Sequence, residues 1–172
     1  MDAMEAILGR RSIRKYTEKS VPEDLVREIL AAAMAAPSAG NQQPWQFVVI
    51  DDRTLLEAIT KFHPYASALK SAPLAITVCG DLEAEKFEGF WVQDCSAAIE
   101  NLLVAAHAKG LGTVWLGVYP LGNRVAGIRT ILGLPNAIIP LAIVALGYSA
   151  EHKEPANRFD PTRIHVNKWQ KK

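Results

Sequence analysis

The sequence predicts a layered sandwich of strands and helices, and three features carry that prediction. Strand-like and helix-like segments alternate along the whole chain, the pattern of an α/β or α+β fold. Leu74 to Cys79 is an almost wholly apolar run, as required of a strand covered on both faces. Phe90 to Lys109 is Ala-rich and repeats apolar residues at Ile99, Leu102, Leu103 and Ala106, the spacing of a long helix packed along one stripe. Periodicity does not order the strands, so it leaves α/β and α+β both open.

The elements follow in order. Residues 2 to 9 place Met4, Ile7 and Leu8 on one helical face. Ser20-Val21-Pro22-Glu23 reads as a capping box, with Ser20 as N-cap and Glu23 reaching back. The helix it opens keeps Leu25, Ile29, Ala32 and Ala33 on one side and runs to about Ala36, just before Pro37. Gln46 to Ile50 is a strand, Thr54 to Thr60 a short helix, and Gly80 to Glu88 a short connection. Gly110 ends the long helix, and Thr113 to Tyr119 is the next strand. Asn123 then caps a helix to about Leu132, stopped by Gly133 and Pro135. Ile139 to Tyr148 is the last core strand, interrupted by Pro140. From Glu151 to Lys172 the chain is polar and basic, and only Ile164, Val166 and Trp169 can bury much. Such a tail wraps over a surface, for instance a partner subunit, rather than forming core.

At 172 residues the chain suits one compact domain. With 49% apolar and 22% charged residues it is neither disordered, fibrous nor a disulfide scaffold. A net charge of +1 lacks the global footprint of a nucleic-acid binder. Cys79 and Cys95 match no zinc spacing and read as buried thiols in a reducing cytosol. The first residues lack the basic and apolar regions of a secretory signal, and Ile138 to Tyr148 is far shorter than the ~20 residues that span a bilayer. The expected location is the cytoplasm.

Several chemistries have no motif here. Gly110-Leu111-Gly112 with Gly117 precedes a strand, whereas a dinucleotide loop follows one. There is no P-loop, no nucleophile elbow, and no metal pattern among His63, His107, His152 and His165. His107 reads as a packed or surface histidine, and Asp94 as a capped or paired structural carboxylate.

Three segments stand out. Arg10-Arg11-Ser12-Ile13-Arg14-Lys15-Tyr16 is the densest cationic cluster; if extended, it puts Arg10, Ser12 and Arg14 on one side. It suits phosphate, although a solvated loop paired with acids is an equal reading. Pro37-Ser38-Ala39-Gly40-Asn41-Gln42-Gln43-Pro44-Trp45 is rich in hydrogen-bonding side chains and longer than a plain turn requires. Gly110-Leu111-Gly112-Thr113-Val114-Trp115-Leu116-Gly117 joins a helix to a strand, and its closing glycine lets a flat ligand approach the backbone, unless it serves only packing.

Together these segments resemble the FMN-dependent nitroreductase family. Arg10, Ser12, Arg14 and Tyr16 match its opening motif, and Pro37, Ser38, Asn41, Gln43, Pro44 and Trp45 match its second. Residues 110 to 117 match its Gly-Leu-Gly-Thr-x-Trp-x-Gly segment, and Arg158 its C-terminal basic residue. The resemblance implies an α+β, three-layer α/β/α sandwich with a mixed, largely antiparallel central sheet and a C-terminal tail over the partner subunit. It also implies a homodimer that binds FMN at its interface and takes electrons from NADH or NADPH.

By the same resemblance, Arg10 and Arg158 would hold the FMN phosphate, and Arg11 and Ser12 would line the phosphate and ribityl chain. Arg14 would approach the pyrimidine edge of the flavin, where negative charge develops on reduction. Pro37, Ser38, Ala39 and Asn41 would come from the second subunit, and the backbone at Leu116 and Gly117 would lie against the ring near N5. The implied activity is two alternating half-reactions that reduce nitroaromatics, quinones or related acceptors, with no protein acid–base residue needed. Three departures accompany the match: Ala156 stands where a second basic residue is common, Tyr65 and Ala68 match nothing near the ring, and the 80–88 connection makes a short roof. The alternatives are a flavin-binding redox module, a same-fold enzyme that destroys flavin or removes halogen, and an anion-binding protein.

Overall fold

The computed structural model describes residues 1–170. Its elements are α1 (Ala3–Gly9), α2 (Glu23–Met34), β1 (Trp45–Ile50), α3 (Arg53–Thr60), β2 (Leu74–Asp81), α4 (Trp91–Ala108), β3 (Gly112–Gly117), α5 (Gly122–Leu132) and β4 (Ile138–Gly147). The four strands form one sheet in the order β1-β2-β4-β3, and all three strand ladders are antiparallel. Among the described residues parallel pairing enters only as the isolated bridge of Ser12 with Thr113, so the fold is α+β. Residue 12 thereby brings the 10–16 segment alongside the outer strand β3, and Gly112 makes room, since a Cβ there would lie 2.8 Å from the Ile13 side chain.

Two apolar layers enclose the sheet. Ile29, Ile76, Ile99, Leu102, Val144 and Leu146 pack between the sheet and the α2–α4 layer. Leu56, Ile59, Leu69, Ile128 and Ile143 fill the opposite side, under α3 and α5. With both faces covered, β2 is buried along nearly its whole length, as its apolar run predicts. Pro140 lies inside β4: the register slips between Val78 and Cys79, which removes the need for its missing N–H.

Two helix starts differ from expectation. Pro22, not Ser20, precedes α2, and no side chain caps it; the Glu23 carboxylate is taken by Arg27 at 2.6 Å instead of reaching back. Leu121 precedes α5, and its carbonyl accepts from the Arg124 and Val125 N–H groups, leaving Asn123 inside the first turn. On α1 the expected apolar face exists, yet Met4, Ile7 and Leu8 are all exposed and only Ala6 is buried. From residue 150 to 170 the chain is mostly irregular, and Phe159, Ile164, Val166 and Trp169 are exposed. The last two residues of the predicted tail lie outside the described residues. Among the described residues no helix is long and apolar enough to cross a membrane.

Candidate functional site

The site begins at the free edge of β3. Ile13 donates its N–H to the Thr113 carbonyl at 2.8 Å, and its buried side chain anchors the segment. Alternation then turns Arg14 outward, where it lines a cleft of about 360 Å³ with His63, Tyr65, Ser67, Leu116 and Gly117. The Arg14 N–H is held by Glu151 Oε1 at 2.5 Å, but its guanidinium makes no ion pair or hydrogen bond among the described residues. Gly117 is the exposed end of an otherwise largely buried strand, and a Cβ there would meet nothing within 4 Å. The cleft therefore offers an uncommitted cation facing space that a side chain would otherwise fill.

His63 supplies the inner wall and was not a sequence candidate. Its Nε2 lies 2.9 Å from the Gly117 carbonyl, and Nδ1 faces the Tyr65 N–H at 3.3 Å. Nε2 must carry the proton and Nδ1 must accept, so the ring is the neutral Nε2–H tautomer. Burial lowers its pKa, the Gly117 hydrogen bond opposes that, and nearby Arg124 adds to the lowering. Arg124 Nη1 also donates to the Gly117 carbonyl, at 2.8 Å, while its guanidinium sits 5.4 Å from the Tyr65 ring. Two donors thus fix the peptide plane that leaves Gly117. Of the two unmatched positions, Tyr65 lines the cleft, whereas Ala68 is buried in the core.

The other cations lie elsewhere. Arg10 stands 3.7 Å from Glu100 of α4 with its side chain largely buried. Arg11 turns to the tail, donating to the carbonyls of Arg10, Glu154 and Ala156. It borders a second hollow of about 420 Å³, shared with His107, Gly112, Glu151 and Lys153. Ser12 is half-buried; its carbonyl accepts from Lys153 Nζ at 2.7 Å, and its hydroxyl has no partner among the described residues. Arg158 is exposed on the tail and makes no ion pair among the described residues.

The 37–45 loop is strained and clamped. Gly40, Asn41 and Gln43 all have positive φ, an arrangement that costs energy at the two non-glycine positions. Ser38 Oγ accepts the Gln43 N–H at 3.0 Å, and Asn41 Oδ1 accepts from Gln43 Nε2 at 2.8 Å. Beneath them, Asp94 is the structural carboxylate its position in α4 predicts: it accepts the Ala39 N–H at 2.9 Å and Gln42 Nε2 at 2.7 Å. Gln42, also absent from the sequence candidates, is the buried hub of this network.

The register shows how far the loop is from the cleft. Gly117 pairs with Ala142, Ala142 with Val78, and Val78 with Phe47. Three strand spacings of ~4.8 Å put Phe47 ~14 Å from Gly117, and β1 begins two residues before it, at the same end of the sheet. One chain thus keeps Arg14, Leu116 and Gly117 together, and holds Pro37, Ser38, Ala39 and Asn41 apart from them. Among the described residues, no three His, Cys, Asp or Glu converge to hold a metal ion.

Comparison with known proteins bears on this arrangement. The family model described as "Nitroreductase family" matches residues 7–66 and 60–148. A Methanothermobacter thermautotrophicus protein, provisionally named NADH dehydrogenase/NAD(P)H nitroreductase, is 53% identical over 169 residues, covering 98% of this chain and 88% of its own. The NADH dehydrogenase of Thermus thermophilus is 34% identical over 199 residues, covering 95% of each chain. Among solved structures, an FMN-dependent nitroreductase from Clostridium difficile superposes with a TM-score of 0.89 at 31% identity, covering 96% of this chain and 99% of the other.

Proposed function

The chain belongs to the nitroreductase family, and from that premise we propose that it is an FMN-dependent NAD(P)H oxidoreductase working as a cytoplasmic homodimer on quinones, nitroaromatics or related acceptors. The observation that carries the reading is the cleft where the uncommitted Arg14 guanidinium faces the open space at Gly117. That donor set fits a flat heterocycle whose edge becomes electron-rich on reduction: a cation at one end and bare backbone along the strand, with the Glu151 carboxylate held on the Arg14 N–H. FMN, when bound, supplies the two-electron transfer between nucleotide and acceptor.

The chain's own residues bind, orient and shield. In this proposal Arg14 stabilises negative charge at the flavin's pyrimidine edge, an electrostatic role strengthened because a second subunit displaces water there. Leu116 and Gly117 would present backbone to the ring, while the neutral His63 and Arg124 keep the Gly117 peptide from rotating. Arg10 and Arg158 would hold the phosphate, and Arg11 and Ser12 would line the phosphate and ribityl chain, Arg11 while clipping the tail. Pro37, Ser38, Ala39 and Asn41 come from the partner subunit, which suits their absence from the cleft lining of their own chain. The exposed Met4, Ile7 and Leu8, together with the exposed apolar residues of the tail, supply surface for dimer contact.

The test is direct. Purified protein is expected to be yellow with one FMN per chain, to oxidise NADH or NADPH when a quinone or nitroaromatic is present, and to scatter light as a dimer. Arg10→Ala and Arg158→Ala are each expected to weaken FMN retention about tenfold or more, as for loss of a charged phosphate contact. Colourless protein that cannot be reconstituted with FMN refutes the proposal; FMN-loaded protein without turnover reduces it to a flavin-binding module.

A further inference from the structure

Beyond β4 the tail keeps step with the 10–16 segment. An antiparallel bridge joins Tyr16 to Ser149, and the Ala150 N–H donates to the Lys15 carbonyl at 2.9 Å. The same register continues as 14 with 151, 12 with 153 and 11 with 154, but there side chains make the bonds. Glu151 Oε1 accepts the Arg14 N–H at 2.5 Å, Lys153 Nζ donates to the Ser12 carbonyl at 2.7 Å, and Arg11 Nε donates to the Glu154 carbonyl at 3.0 Å. Alternation along extended backbone explains the arrangement. Ile13 turns its N–H toward β3, so the Ser12 carbonyl and the Arg14 N–H turn away from it. Among the described residues no strand lies on that outer side, and the two groups meet a tail anion and a tail cation instead.

Those two charges also hold each other, 3.3 Å apart and both half-buried. The Arg14 N–H foremost holds the Glu151 carboxyl below its usual range, with burial opposing and Lys153 adding to the lowering, so the acceptor is a carboxylate at neutral pH. Arg14 itself is exposed, and its guanidinium has no partner among the described residues. The direction of that side chain is therefore set chiefly by its backbone, and the backbone N–H is held by Glu151.

We propose that Glu151 is a positioning residue of the active site: by fixing the Arg14 peptide it aims the Arg14 guanidinium into the cleft, and through Arg14 it raises the reduction potential of bound FMN. The inference rests on the function proposed above, because it takes Arg14 to stabilise negative charge on the reduced flavin. The effect runs against the residue's own charge, since an anion near a flavin disfavours added electrons. Glu151 thus acts in two opposite directions, by charge and by aim, and the two are separable.

Potentiometric titration of the FMN-loaded protein separates them by comparing Glu151→Ala with Glu151→Gln. Both variants lose the carboxylate charge, but glutamine keeps an oxygen for the Arg14 N–H. Glu151→Ala is expected to favour reduced over oxidised FMN about tenfold less than Glu151→Gln does, a two-electron potential about 30 mV lower. In an Arg14→Ala background the two should agree, because nothing is left to aim. Hydrogen exchange on FMN-free protein gives a readout that needs no flavin. The Arg14 amide should be protected in wild type and in Glu151→Gln, and should exchange at least about tenfold faster in Glu151→Ala. Equal potentials for the two variants, a gap that survives Arg14→Ala, or an unprotected Arg14 amide in wild type overturns the positioning role alone. Wild-type protein that takes up no FMN overturns the underlying function and this inference with it.

Discussion

Replacing Gln42 by alanine removes a side chain that joins the 37–45 loop, the 82–90 connection and α4. It deletes the 2.7 Å bond to Asp94, a contact with a charged acceptor worth about 1.5–3 kcal/mol. It also frees the Lys86 and Phe87 N–H groups, bonded at 2.7 and 3.0 Å; being nearer the surface, they rehydrate and add only about 0.5 kcal/mol each. The total, about 3 kcal/mol, corresponds to a Tm drop of about 6–12 °C for a chain of this size. Calorimetry at pH 7 with saturating FMN reads the drop, and hydrogen exchange reads the loop, where the Lys86 and Phe87 amides should lose protection. A Tm within about 2 °C of wild type, with both amides still protected, refutes the clamp.

Gln42→Glu sharpens the test, because it keeps an acceptor for the two amides while setting a second carboxylate against Asp94. Like charges at that distance cannot both ionise, so one proton is retained with a raised pKa. Stability from a raised carboxyl pKa is present below the unfolded value of about 4.3 and is lost as pH rises through the folded value. The glutamate variant should therefore be least stable near pH 8 and recover toward wild type on acidification to about pH 5. The alanine deficit should stay level across that range. Parallel pH profiles for the two variants would sink the argument.

Other consequences are as specific. Burial pushes both Cys79 and Cys95 thiols up to about 12, so folded protein at pH 8 should resist a thiol reagent and release two reactive thiols per chain only on unfolding; fast labelling of folded protein would contradict that packing. His63 has a folded pKa below its ordinary 6.5, so its neutral form is the folded one and stability falls as pH drops below about 6.5, by about 1.4 kcal/mol per pKa unit. His107 acts with the same sign, its pKa lowered by burial and by Arg10 and Arg11. His63→Gln should flatten that acid limb between pH 6.5 and 5, and an unchanged slope would show that His63 does not titrate into it. Gly117→Ala should leave Tm within about 2 °C of wild type yet weaken FMN binding about tenfold. By contrast, Gly147→Ala, whose Cβ would lie 2.5 Å from the Pro73 ring, should cost about 1–3 kcal/mol. Equal FMN affinity in Gly117→Ala would mean that no ring lies against that backbone.

What the sequence made legible, and what it did not, divides along a physical line. Periodicity locates the four strands and five α-helices of the described residues because burial along β2 and α4 acts residue by residue. Local capping chemistry failed at Ser20 and Asn123, where a rival partner won: Arg27 for the Glu23 carboxylate, and the Leu121 carbonyl for the first turn of α5. Asp94 was readable as a structural acid because a lone carboxylate in an apolar helix must find donors. His63 and Gln42 were not readable, since what gives them meaning lies 54 residues away at Gly117 and 52 away at Asp94. Motif matching singled out Asn41 and passed over its neighbour, although Gln42 is the buried one.

That division has a consequence for the site itself. Residues named by motif are mostly exposed or half-buried: Arg14, Asn41, Gly117 and Arg158 lie at surfaces and act on whatever docks there. Residues found only in the structure are buried and act on the named ones: His63 on the Gly117 peptide, Gln42 and Asp94 on the Ala39 and Phe87 amides. A surface group can be exchanged at the expense of one contact, whereas removing a buried polar group leaves its partners unsatisfied and displaces the surface groups as well. Variants at Gln42 or His63 should therefore disturb two properties together, stability and the placement of the exposed groups above them. Variants at Arg14 or Arg158 should change ligand affinity at nearly constant Tm, and paired thermal and FMN-binding titrations on these four positions would separate the two classes.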